Sequence, residues 1–126
     1  MKAPAAIKPR MQPFLPATAA FASGKDSPRA FLERCIVELY NWEPKISAFV
    51  SLNLEAARTA ADSATERWRA GKPLSPIDGM PIGIKDIIET IDMPTENGSP
   101  LSRYASRSAF VGVPKCTVVT DDSTAR

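Results

Sequence analysis

Lys85 stands in the run Asp78-Gly79-Met80-Pro81-Ile82-Gly83-Ile84-Lys85-Asp86, with Ile82 and Ile84 before it and Ile87 and Ile88 after. An ammonium among such neighbours loses hydration unless carboxylates, hydroxyls or carbonyls meet it. Desolvation favours the neutral amine, the form that can take a proton in catalysis. In extended backbone alternate residues share a face, which groups Gly83, Lys85 and Ile87 against Ile82, Ile84 and Asp86. Gly83 leaves room beside the lysine stem. Asp78-Gly79 signals a turn and Pro81 suits the first residues of a strand, so the segment is expected to start abruptly and run inward. The alternative is a lysine at a strand end, its stem covered and its head in water.

Other chemistries are narrowed by composition. The chain has no histidine, which excludes a Ser-His-Asp triad, a Cys-His pair and any histidine-bearing metal site. A serine-lysine arrangement remains open. Cys35 and Cys116 lie far apart and form no CxxC pair, so neither a zinc site nor a disulfide framework is indicated and a reducing cytoplasm is the expected compartment. Cys35 reads as a small core residue, and Cys116 falls in a segment without an assigned element. With 126 residues, 44% hydrophobic and 24% charged, the chain suits one small soluble domain. A formal charge of +2, spread among acids, gives no reason to expect a nucleic acid or membrane partner.

Pro76-Ile77-Asp78-Gly79-Met80-Pro81-Ile82-Gly83-Ile84-Lys85-Asp86, followed by Met93-Pro94-Thr95 and Gly98-Ser99, resembles the amidase signature family of amide hydrolases. The resemblance extends upstream through Pro44-Lys45-Ile46-Ser47-Ala48-Phe49-Val50 and Ser27-Pro28, covering residues 17 to about 100. It implies that Lys85 is the lysine of a Ser-cisSer-Lys triad. In that family one serine attacks the amide carbonyl, a second serine relays its proton, and the lysine is the base toward the second. An acyl-serine intermediate follows, without metal or organic cofactor, and the substrate of the complete enzyme is a small-molecule amide.

The same resemblance implies an α/β/α fold, here only its N-terminal helices and first strands with an incomplete sheet. After residue 100 the family pattern is lost, through either a shifted reading frame or divergence. The Gly-Ser-rich loop that would carry the nucleophile and the oxyanion donors is missing, since Gly98 and Gly112 are the only glycines after Lys85. Ser99, Ser102, Ser106, Ser108 and Ser123 read as turn or surface serines, so no nucleophile is assigned. Asp86 is expected to act as a turn or capping group rather than as a partner of the ammonium. Pro94 should fix a turn, and Asn97-Gly98-Ser99 reads as a turn rather than a glycosylation acceptor.

The elements that must position Lys85 have clear signals upstream. Residues 1–16, with Pro4, Pro9, Pro13 and Pro16, form a disordered N-terminus by composition, since proline interrupts every apolar run that a leader would need. No apolar run is long enough to span a membrane. Thr18–Ser23 reads as a short helix closed by Gly24. Ser27-Pro28 then starts a second helix with Leu32, Cys35, Ile36 and Leu39 on one stripe, ending before Pro44.

Alternation over Ile46, Ala48, Val50 and Leu52 predicts a short strand. A third helix follows, with Leu54, Ala57, Ala61, Ala64 and Trp68 on its stripe and Gly71 and Pro73 as its stop. With an interior strand over Ile82–Ile88, the class is α/β. Three regions result: residues 1–16, an amidase-like segment over 17–100, and a divergent tail over 101–126. The expected function is the N-terminal segment of a hydrolase of carbon-nitrogen amide bonds, inactive as this truncated chain. The competing expectation is a noncatalytic interaction module, or a fragment that folds beside a complementing chain and associates through an exposed sheet edge.

Overall fold

The computed structural model describes residues 12–88, 90 and 93–99, together with the backbone of 117–120. Helix α1 spans Phe14–Ala22. It starts upstream of the expected Thr18, drawing Phe14–Pro16 out of the stretch expected to be disordered. Pro16 is tolerated because the first-turn amides of a helix have no carbonyl to reach. Burial supplies the reason for the earlier start: the Phe14 ring packs edge-to-face on Phe21 at 5.5 Å and on Phe31 at 5.1 Å. Gly24, at φ 73°, turns the chain out of α1, and the Lys25 amide donates back to the Ala20 carbonyl at 2.9 Å.

Helix α2 spans Pro28–Ile46, with the Ser27 hydroxyl accepting from the Ala30 amide at 3.1 Å and Pro28 in the first turn, as its sequence predicts. Leu32 and Ile36 are buried on the anticipated stripe. The expected stop before Pro44 and the expected strand over residues 46–52 are both corrected. Proline removes only one main-chain bond, and the Ser47 amide still donates to Glu43 O at 2.8 Å. Ser47 then adopts φ 51°, and the Phe49 amide returns to the Glu43 carboxylate at 2.9 Å, folding the chain back where a strand was expected. Glu43 therefore serves twice, by carbonyl and by side chain, to carry the helix past its proline.

Helix α3, Leu54–Arg69, begins at Asn53, whose side chain accepts from the Ala56 amide at 3.2 Å. Ala57, Ala61 and Ala64 are fully buried, and their small side chains let α3 lie closely against α2 around Leu32 and Ile36. A second cluster joins the three helices through Phe14, Phe21 and Phe31, with Trp68 and Met80 packed on it.

Strand β1, Ile82–Lys85, pairs in parallel with β2, Thr117–Thr120, placing Ile82 opposite Thr117 and Lys85 opposite Thr120. The class is α/β. Two expectations change here. The strand stops at Lys85 rather than running to Ile88, because the Ile88 amide turns back to the Lys85 carbonyl at 3.0 Å. It is not interior among the described residues: Ile82 is 39% exposed, and Ile87 and Ile88 in the following turn are more so. The tail, where the family pattern is lost, contributes β2, whose Thr-Val-Val-Thr run is rich in β-branched residues. Cys116, Ser102, Ser106, Ser108, Ser123, the apolar run over 109–113 and residues 1–11 lie outside the described residues.

Candidate active site around Lys85

The approach to β1 is fixed by Asp78, which the sequence presented only as half of a turn. Its carboxylate is buried and takes two hydrogen bonds from Arg67, at 2.7 and 2.6 Å, and a third from the Leu74 amide at 3.1 Å. Its carbonyl accepts the Trp68 indole N–H at 3.0 Å. The Arg67 guanidinium, helped by the Leu74 amide, holds the Asp78 carboxyl below its usual range against the opposing effect of burial. One residue thus ties the end of α3 to the entry of β1. The signal for it was available: a basic residue and a tryptophan at adjacent positions in the last turn of α3, facing the Asp-Gly pair.

Gly79 follows at φ 85°, and a Cβ there would lie 2.7 Å from the Cβ of Pro28 and 2.8 Å from that of Ala64. Only glycine fits where the incoming chain crosses the first turn of α2 and the middle of α3.

Lys85 is the last residue of β1 and its side chain is exposed. The buried environment expected from its isoleucine neighbours is not what the described residues build; its position matches the alternative of a lysine at a strand end. Gly83 lies two positions earlier on β1, as anticipated, but Ile87 has left the strand for a turn. Asp86 points inward, 4% exposed, and is the turn and capping group its position suggested. Its carboxylate accepts from the amides of Glu96 at 2.8 Å and Gly98 at 3.3 Å, while its carbonyl accepts from Asn97 at 3.3 Å.

The loop over 93–99 is thereby folded onto the end of β1. Thr95 donates its hydroxyl proton to the Ile88 carbonyl at 3.3 Å, and Met93, Thr95 and Glu96 are buried. Asn97 and Gly98 form the anticipated turn, both at positive φ, and the Ser99 amide closes it on the Glu96 carbonyl at 2.8 Å. The structure therefore gathers Lys85, Asp86, Thr95 and Ser99 near one strand end.

Two further features lie away from Lys85. An apolar groove of about 300 Å³ runs between α2 and the start of β1, lined by Leu32, Cys35, Ile36, Leu39, Phe49, Pro81, Ile82 and Gly83. Burial pushes the Cys35 thiol up, which keeps it protonated and agrees with a packing role. On the outer faces of α2 and α3, Glu33 receives hydrogen bonds from Arg58 at 2.8 and 3.0 Å and from Arg29 at 3.0 Å. Arg58 first and Arg29 second lower its carboxyl to about 2. Among the described residues no three His, Cys, Asp or Glu side chains form a group that could hold a metal ion, and no helix is long and apolar enough to cross a membrane.

The arrangement is three helices beside a parallel strand pair, with Lys85 closing β1 and a loop pinned there by Asp86. In fold alone, 86% of the chain superposes, at a TM-score of 0.71 and 24% identity, on a quarter (25%) of a chain from a vestigial protein complex tied to the origins of an s-triazine catabolic enzyme. A crystal structure of an amidase matches 68% of this chain and 19% of its own at a TM-score of 0.61 and 32% identity.

The family model described as Amidase matches residues 30–111, and the chain belongs to that family. It is similar to a glutamyl-tRNA(Gln) amidotransferase subunit of Chloroflexus aggregans, 48% identical over 80 residues, which are 64% of this chain and 16% of that protein. The mitochondrial counterpart in Ixodes scapularis is 41% identical over 66 residues, 52% of this chain and 13% of that protein. The chain spans less than a fifth of the length of these curated relatives.

Proposed function

We propose that this chain supplies the lysine-bearing N-terminal part of an amidase-signature hydrolase of carbon-nitrogen amide bonds, with Lys85 as the base of a Ser-cisSer-Lys triad. The observation that carries the reading is the placement of Lys85 at the end of β1, inside the family-matched stretch and beside a loop pinned by its neighbour. In that role the neutral amine takes a proton from one serine hydroxyl, which takes one from the nucleophilic serine as its oxygen bonds the amide carbon. The leaving amine departs with a proton, and water then releases the acyl group. No serine of these 126 residues is assigned as nucleophile or relay, and on this reading the polypeptide by itself hydrolyses no amide. The named relatives are parts of amidotransferases, and on this reading the complete protein also works beside other polypeptides.

The test grafts residues 30–111 into the matching stretch of the Chloroflexus aggregans relative and measures ammonia release from primary amides. The graft should be active, and Lys85→Ala should lower kcat by roughly 10²–10⁴-fold. Full activity in the Lys85→Ala graft would refute the role. Hydrolysis by the 126-residue chain alone, abolished by the same substitution, would refute its inactivity.

A second reading is favoured by the exposure of Ile82, Ile87 and Ile88 and by the apolar groove at the start of β1: a noncatalytic module that docks on a complementing chain. Sedimentation of the chain as a monomer at all concentrations, with a sharp cooperative melt, would count against it.

A further inference from the structure

Asp86 directly follows an exposed lysine yet is itself 4% exposed. Burying a carboxylate is costly unless donors replace its water, and here the donors are main-chain amides ten and twelve residues away. Together with the amide that meets its carbonyl, three consecutive amides, those of Glu96, Asn97 and Gly98, end on this one residue. Asn97 at φ 51° and Gly98 at φ 69° curl the loop so that these N–H groups converge.

We propose that Asp86 is the positioning residue for Lys85. The Asp86 carboxylate and carbonyl, held by three loop amides in the turn that ends β1, fix the peptide through which Lys85 meets that turn, and with it the direction in which the Lys85 side chain leaves the strand end. From the other side, the Ile88 amide on the Lys85 carbonyl and the Thr95 hydroxyl on the Ile88 carbonyl hold the turn that follows. Lys85 is thus set between the β1–β2 ladder and a loop tied to its neighbour, and without Asp86 the strand end loses its fixed exit direction. This rests on the reading of Lys85 as the triad base, for which a defined approach direction matters.

The experiment uses the full 126-residue chain and needs no turnover. Hydrogen exchange reads the loop, and acetylation by an N-hydroxysuccinimide ester, followed by mass spectrometry, reads Lys85 against exposed Lys72 as internal reference. In Asp86→Ala, exchange at Glu96, Asn97 and Gly98 should accelerate roughly a hundredfold. The Lys85:Lys72 acetylation ratio should move by at least about threefold as the side chain gains freedom. Asp86→Asn, whose oxygen can still accept from Glu96 but whose amide cannot accept from Gly98, should restore the ratio to within about twofold while Gly98 stays fast.

A faster loop with an unchanged ratio makes Asp86 a loop brace only and overturns the proposal, as does unchanged exchange. Should the base reading itself fail, the Lys85→Ala graft keeps its activity while both of these readouts still respond to Asp86, so the two failures are told apart.

Discussion

Replacing Gly79 by alanine separates two costs that glycine avoids. The residue sits at φ 85°, where a Cβ is strained whatever the space, and the added carbon would lie 2.7 Å from the Cβ of Pro28 and 2.8 Å from that of Ala64. Left-handed backbone costs a non-glycine residue about 1–2 kcal/mol. Overpacking a filled site adds about 1–3 kcal/mol, and neither neighbour has a rotamer to escape into, since one is a proline ring and the other an alanine. The sum is roughly 2–5 kcal/mol, a large part of what holds a small domain.

Gly71 provides the control, with φ 67° and nothing within 4 Å of its would-be Cβ. Gly71→Ala should lose only the backbone part, about 1–2 kcal/mol. Urea unfolding followed by far-ultraviolet circular dichroism gives both values, provided the slope with denaturant is shared. If Gly79→Ala loses no more than Gly71→Ala, the close approach of the β1 entry to α2 and α3 is wrong.

Asp78→Ala should cost about 2–4 kcal/mol at neutral pH, because Arg67 and the Leu74 amide lose a buried partner. Since Arg67 lowers the Asp78 carboxyl from its ordinary 3.8, the stabilisation is complete above that value and fades as pH falls through the lower folded value. The gap between parent and Asp78→Ala should therefore close in acid, and a gap that widens there would contradict the clamp. Ser27→Ala should cost about 1 kcal/mol by removing the cap on the Ala30 amide, measured by the same unfolding curves.

Where the signal was local, the sequence could be read. The Ser27-Pro28 start, the Leu32 and Ile36 stripe and the alanine seam of α3 each need only neighbours within a few turns. Pro44 misled because a proline's effect depends on whether a later amide can find a carbonyl, and Glu43 provides one. The alternation from Ile46 to Leu52 has the period of a strand but spans a helix end and a return loop, and no pattern of apolar residues reveals the left-handed turn at Ser47. At the candidate site, Lys85 stood out through its motif, and Asp86 as the turn group beside it. The sequence left the burial of Lys85 open between an inner strand and a strand end, because apolar neighbours in sequence indicate burial only when a sheet continues on both sides. Asp78 was missed for a related reason: a carboxylate in an Asp-Gly turn looks solvated until the helix that covers it is known.

The parallel pairing of β1 with β2 also sets an order in time. The residues of the three helices are all present once Arg69 has been made and their contacts with Asp78 and Met80 follow soon after, whereas Ile82 must wait for Thr117, about 35 residues later. At about 5–20 residues per second that interval is several seconds, while helices relax in about a microsecond. During synthesis the helical half therefore stands complete beside a strand with no partner, its isoleucines bare. The moment of greatest risk to this chain comes before it is finished, and whatever first lies along β1 in those seconds competes with its own β2.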